Sequence, residues 1–374
     1  MPQFPNVDPI PLPAPIWLFK VLHNLTFALH LASVELLLGG LLMALLFVLA
    51  GRALRREAPL QSAGVIVHRL PTLMAFVINL GVPPLLFAQV LYGRALYTSS
   101  VLIGTYWISV IFLLMASYYG LYLAARRAET GRPWTVPGFA ALVLALTIAF
   151  IYSNNMTLML RPQSWVQMYQ SNPHGFQLNT DDPTLFVRWF FFLAGAFPAT
   201  GAALALLSLR SVFSENVRRF LARSGGVAIA AGALVQATFG YLALEAQPSD
   251  ALSTVMGDAL YRSFALGWLA TAALLVVAGL LLWATRAARA ILAVGGALAA
   301  FLNIACTVMV RDGIRDVTLR AAGFDVWNRQ VVTNWSVVGL FLVLFVAALA
   351  VIAYLITVIA KARRLEEKYA EKYA

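Results

Sequence analysis

The sequence predicts an all-α fold, a polytopic transmembrane helical bundle of about nine spans with the N-terminus outside and the C-terminus cytoplasmic. Three observations predict it. Of 374 residues, 61% are hydrophobic and only 11% charged, where a soluble domain carries about 25% charged residues; so apolar a chain cannot bury its side chains in one water-facing globule. Nine stretches, roughly 16–50, 70–93, 100–124, 136–159, 184–209, 224–245, 258–284, 288–310 and 333–360, approach or exceed the ~20 residues needed to cross the hydrocarbon. Basic residues also gather at alternate span ends: Arg52, Arg55, Arg56 and Arg69; Arg126, Arg127 and Arg132; Arg210, Arg218, Arg219 and Arg223; Arg286 and Arg289; then Lys361, Arg363, Arg364, Lys368 and Lys372. These are 18 of the 27 Lys and Arg residues, leaving 9 on the other side, and that excess marks the cytoplasmic face.

The elements follow in order. Residues 1–15 form a Pro-rich external segment without a basic residue, unlike a cleavable signal peptide. The bundle occupies 16–360, and its first span is long enough to tilt or project from the bilayer. Pro83, Pro84 and Pro198 fall within spans, where neighbouring groups must satisfy the carbonyls they free; Pro83-Pro84 beside Gly81 predicts a kink in span two. The longest outer loop, Arg161–Pro183, carries Trp165, Tyr169 and Phe176, aromatics suited to an interface. Arg311, Arg315, Arg320 and Arg329 are expected to crowd another outer loop. Residues 361–374 read as a charged cytoplasmic helical tail.

Composition also excludes functions. Cys306 is the one cysteine, so neither a disulfide framework nor a Cys-based zinc site is possible within the chain. No Cys-x-x-Cys-His occurs to attach a c-type haem, and no GxGxxG or P-loop pattern implies a nucleotide. The net charge of +11 reads as loop bias rather than a nucleic-acid surface.

Polar groups inside an apolar layer are costly and need a partner or a task. Span one holds His23, His30 and Glu35. The two histidines, seven residues apart, lie about 20° apart around a helix and about 10.5 Å apart along it. Each can offer an imidazole nitrogen to a haem iron, or hydrogen-bond a neighbouring helix. Glu35, about 140° around from His30, is a candidate for a proton path or for a structural carboxyl. Gln89, Asn79, Asn154, Asn155, Asn303 and Gln236 read mainly as hydrogen-bonding contacts between helices. His68 reads as interfacial. His174, in an Asn-Pro-His-Gly turn, is either a contact for a docked partner or a solvated loop residue.

Several segments carry a family resemblance. His30-Leu-Ala-Ser-Val-Glu-Leu-Leu-Leu-Gly39 resembles the first span of subunit I of cytochrome bd quinol oxidases. Asn79-Leu-Gly-Val-Pro-Pro-Leu-Leu-Phe-Ala-Gln89 is similar to that family's Leu-Gly-Val span, and Gln170-Ser-Asn-Pro-His-Gly175 to its Gln-Asn-Pro-x-Gly loop. Ala199-Thr-Gly201 and, more weakly, Tyr261-Arg-Ser-Phe-Ala-Leu-Gly267 follow in order. The resemblance implies nine spans, an outside N-terminus and a haem on His30. It also exposes departures. Gln89 stands where the family has an acidic residue, and Phe192, Gly267 and Val308 stand where it has iron ligands. The quinol-binding loop shrinks to roughly 246–257.

These features together imply a membrane subunit of a respiratory electron-transfer complex that is not itself an oxygen reductase. It would carry one haem b on His30, with His23 as the alternative ligand, and possess Glu35 and Gln89 as proton-handling or ligand-orienting candidates. Quinone is a possible further cofactor. Expected partners are membrane lipid and other complex subunits, including a c-type cytochrome or iron–sulfur protein on the outer face near His174, in a prokaryotic cytoplasmic membrane. A haem-free scaffold for peripheral redox subunits is the main alternative. A transporter or proton channel ranks last, because Glu35 is nearly alone and no inverted repeat is visible.

Overall fold

The computed structural model describes residues 11–285 and 289–373. Most of the Pro-rich segment predicted over 1–15 therefore lies outside the described residues, as do the side chains of the predicted tail from Lys361 onward. The helices are α1 (Ile16–Ala53), α2 (Glu57–Val67), α3 (Leu70–Leu102), α4 (Gly104–Glu129), α5 (Thr135–Leu158), α6 (Pro162–Ser171), α7 (Pro183–Leu207), α8 (Glu215–Glu245), α9 (Ser249–Gly257), α10 (Ala259–Thr285), α11 (Ala290–Ala321) and α12 (Trp335–Tyr373). Among the described residues nine helical segments are long and apolar enough to cross a membrane: α1, α2 with α3, α4, α5, α7, α8, α10, α11 and Trp335–Leu355 of α12. The chain is an all-helical, multi-pass membrane protein.

Two compact units divide it. Lys20–Val326 makes the body of the first, while the described residues 11–19 join Trp327 and beyond in the second. Within the first unit α1 lies in the core. Leu37, Leu41, Ala44 and Val48, spaced by four, three and four residues, bury one stripe against Leu70 and Met74 of α3, Ala141 of α5, Leu204 of α7 and Leu221 of α8, as a 3.6-residue period dictates. Helices α7 and α8 approach until backbone meets backbone: a Cβ on Gly201 would stand 2.7 Å from the Gly225 carbonyl oxygen, and one on Gly225 the same distance from that of Gly201. Small residues permit such dispersion-rich crossings where lipid supplies no hydrophobic drive between helices. Asn303 of α11 donates to the Trp268 carbonyl (3.1 Å) and Thr271 Oγ1 (3.0 Å) of α10, and Asn155 of α5 to Ser100 Oγ (2.8 Å) of α3. These are the interhelical contacts expected of buried asparagines.

The structure corrects four boundaries. Helix α11 runs on to Ala321 rather than ending near 310, so Arg311, Arg315 and Arg320 belong to a helix and not to a loop. In α3 the backbone also leaves helical values at Tyr92 (φ −125°, ψ 22°), eight residues beyond Pro84. Helix α8 starts at Glu215, where Ser214 Oγ accepts from the Val217 amide. The connections 161–183 and 246–257 each contain a short helix, α6 and α9. The first of these connections is tied down by side chains. Asn154 Oδ1 accepts from the Asn179 amide (3.0 Å), Arg161 donates to Asn179 Oδ1 (2.6 Å) and to Asp181, and Asp182 caps α7 by accepting from the Thr184 amide (2.8 Å).

In the second unit Leu12 forms a single parallel bridge with Val331. The Leu12 amide donates to the Gln330 carbonyl, and the Val332 amide to that of Leu12, both at 2.9 Å. The Asn334 amide donates to the Pro13 carbonyl at 3.0 Å, and Asn334 Oδ1 accepts from the Val337 amide at the start of α12.

Candidate functional site

Two cavities lie inside the first unit. The first, about 390 Å³, borders α1, α3, α5 and α7 and is lined by His23, His30, Glu35, Met74, Tyr152 and Trp189 among mainly apolar neighbours. The second, about 460 Å³, borders α7, α8, α10 and α11. Phe192, Met156, Met159, Arg188, Arg311 and Arg315 line both. Each volume falls within the range of pockets that hold small ligands, about 300–1,000 Å³.

Both histidines of α1 reach the first cavity, as their spacing requires, yet they are held differently. His30 Nδ1 lies 3.1 Å from the Val77 carbonyl oxygen of α3. A carbonyl only accepts, so Nδ1 carries the proton and Nε2 keeps its lone pair. Among the described residues nothing hydrogen-bonds that Nε2. Gly81 makes room for the ring, because a Cβ there would stand 2.8 Å from His30 Cε1. At His23 both nitrogens are engaged: Nδ1 with the Pro84 carbonyl oxygen (3.1 Å), and Nε2 with Arg315 Nη1 (3.1 Å). Since a guanidinium only donates, the lone pair of His23 is already taken. His30 is therefore the histidine left with a donor for a metal.

Glu35 is 3% exposed. Its carboxyl lies against Gly195 of α7, where any Cβ would collide with Oε1, and Gln236 Nε2 of α8 approaches the same spot. The angular offset from His30 holds: His30 turns to α3 and Glu35 to α7. Among the described residues the Glu35 carboxyl makes no hydrogen bond, and it lines the cavity. Gln89 is half-buried on α3 and does not line the cavity, which is lined instead by Leu85 and Ala88 nearby; the structure does not bring it to His30. His174 is exposed in the turn after α6. Its amide donates to Asn172 Oδ1, its carbonyl accepts from Thr105 Oγ1, and Gly175 follows at φ +68°. His68 pairs with Glu129 at 3.0 Å, with both side chains more than half exposed.

Sequence reasoning missed an ion network beside the cavity. Lys20 Nζ sits 2.5 Å from Asp312 Oδ2 and 2.7 Å from Asp316 Oδ2, and donates to the Tyr92 hydroxyl at 2.7 Å. That hydroxyl donates to Asp316 Oδ1 at 2.7 Å. Arg315 pairs with Asp312, reaches His23, and stacks its guanidinium 4.0 Å from the Tyr92 ring centre. The partners are all buried, and two cations meet two carboxylates. The signal was present: Arg311, Asp312, Arg315 and Asp316 repeat at i and i+4, a helical spacing.

Among the described residues no three His, Cys, Asp or Glu side chains converge on a metal position. A single imidazole with its second nitrogen fixed by a backbone carbonyl, facing an aromatic and apolar cavity, fits the demand of a haem for one or two axial side chains. Fold and site together define a multi-pass helical membrane protein with a His-lined interior cavity. No family model matches the chain, and no curated protein matches it.

Proposed function

We propose that this protein is an integral-membrane subunit of a respiratory electron-transfer complex, resembling subunit I of the bd oxidases without being an oxygen reductase. The observation that carries the reading is His30, with Nδ1 anchored on Val77, Nε2 unbonded and the ring at the cavity wall. His30 would hold one b-type haem there. When bound, that group supplies a one-electron carrier, and the protein supplies position and insulation. Val77 fixes the tautomer and ring orientation. Gly81 leaves space for the ring, Glu35 holds or releases a proton at its carboxyl beside the cavity, and the apolar walls exclude water. Quinone in the bilayer, or a c-type cytochrome or iron–sulfur protein docked on the outer face near His174, would be the electron partner. The basic-residue bias supports an outside N-terminus in a prokaryotic cytoplasmic membrane.

The test is the dithionite-reduced minus oxidised spectrum of the complex purified from its native membrane, with a pyridine haemochrome assay. A b-type band that His30→Ala abolishes and His23→Ala keeps is expected. A purified complex with no non-covalent haem overturns the reading. A second reading, a haem-free scaffold for peripheral redox subunits, draws support from Phe192, Gly267 and Val308, none of which can ligate iron. It expects His30→Ala to leave spectra unchanged and to alter only complex assembly. Transport or proton conduction ranks behind both.

A further inference from the structure

The second cavity holds an imbalance that the ion network does not absorb. Lys20 and Arg315 are matched by Asp312 and Asp316. Arg188 and Arg311 feel only the fields of Asp182 and Asp312, and neither makes a close ion pair among the described residues. Arg188 donates to Gln247 Oε1 at 2.6 Å, a neutral amide that is itself buried. Arg311 lies over the Phe27 ring, 4.7 Å from its centre, and makes no hydrogen bond or ion pair among the described residues. Both arginines line the second cavity, together with Arg315 and the exposed Arg262; no Asp or Glu lines it. A guanidinium without a close ion pair is costly in an apolar lining, and in a membrane protein such charges pair or mark a ligand path. The rest of the lining is almost wholly apolar. It includes Tyr241 of α8 and Leu266 and Leu269 of α10, all exposed on the outer side of their helices, which is the side acyl chains occupy. Trp268 Nε1, also in the lining residues, is buried without a partner.

We infer that this cavity binds a membrane amphiphile with an anionic head, a carboxylate or a phosphate, held by Arg188 and Arg311 while its chain lies along α8 and α10. Arginine suits either head because its planar fork pairs bidentately with both. The inference concerns the second cavity, which shares Arg188 and Arg311 with the first, and does not depend on haem binding.

The test is native mass spectrometry of the full chain, delipidated in detergent and titrated with dioleoyl phosphatidylglycerol, dioleoyl phosphatidylcholine or oleate. One tightly retained anionic molecule per chain is expected, at least tenfold tighter than phosphatidylcholine. Phosphatidylglycerol and oleate separate a phosphate head from a carboxylate head. Arg188→Gln with Arg311→Gln should lower the anionic affinity about tenfold to a hundredfold and leave phosphatidylcholine unchanged. Should that pair fail to fold, Ala237→Phe, which fills the cavity and keeps every arginine, should abolish the same retention. His30→Ala should leave it intact. Equal binding of the charged and zwitterionic lipids, retention unaffected by Ala237→Phe, or retention lost with His30→Ala would each overturn the inference.

Discussion

Replacing Lys20 by Met should unbalance the buried ion network more than any surface substitution. Lys20 Nζ contacts both Asp312 and Asp316 and the Tyr92 hydroxyl, with the three charged side chains 2–6% exposed. Without it, one arginine faces two carboxylates, leaving an uncompensated charge away from water. Removing one partner of a buried pair costs about 3–5 kcal/mol, or two to three and a half decades in the unfolding equilibrium at about 1.4 kcal/mol per decade. An exposed pair would cost at most about 1 kcal/mol. Adding Asp316→Asn restores the count to one cation and one anion, and the new side chain still offers Oδ1 to the Tyr92 hydroxyl. The double variant should therefore be more stable than Lys20→Met alone, recovering at least half of the loss. Unfolding in mixed micelles, followed by circular dichroism, measures both. A Lys20→Met loss below about 1 kcal/mol, or a double variant weaker than the single one, would refute the charge-balance argument.

Three further outcomes test the site and its surroundings. Gly195→Ala drives a methyl into the Glu35 carboxyl, and overpacking of this kind costs about 1–3 kcal/mol; in a Glu35→Ala background, thermal unfolding should show most of that cost gone. Gly81→Ala should displace the His30 ring and weaken its bond to Val77 at a similar cost, and the same measurement should find the penalty reduced when His30 is Ala. On the α5–α7 connection, the hydrogen bond from Arg161 holds the Asp181 carboxyl below its ordinary range. A depressed carboxyl stabilises above its unfolded pKa of about 3.9 and loses that contribution as pH falls through the folded value. Limited proteolysis of residues 162–182 should thus rise only in acid below about pH 4, and an unchanged acid profile in Asp181→Asn would count against the pair.

Much of the fold is legible because spans depend on one-dimensional hydropathy, and that signal survives in each of the nine spanning segments from α1 to Trp335–Leu355. It fails where a helix outlasts its apolar stretch. The last turns of α11 carry Arg311, Asp312, Arg315, Asp316 and Arg320, so hydropathy ends the span near 310 while the backbone continues to Ala321. The charges at i and i+4 were the available clue, but their partner Lys20 lies 292 residues before Asp312, and hydropathy pairs nothing across that distance. The rotation of Gln89 was equally hidden. Helical spacing sets angles within one helix, and only neighbouring helices decide which angle faces a cavity.

The contrast between the two histidines carries this further. His23 and His30 share one helix face, one residue type and one cavity, so their spacing alone does not separate them. What separates them is the charged end of α11. Arg315 reaches His23 and takes its lone pair, while the residues near His30 offer a carbonyl on one side and open volume on the other. The extension of α11 past its apolar stretch therefore does more than stabilise the bundle. It supplies the carboxylates that pair with Lys20, occupies one imidazole and leaves the Nε2 of the other open to the cavity. Asp312→Ala, by releasing Arg315 from its carboxylate, should loosen that assignment and perturb His23 before His30, which histidine-selective NMR of the ring nitrogens in micelles can follow; an equal change at both rings would mean that α11 does not discriminate between them.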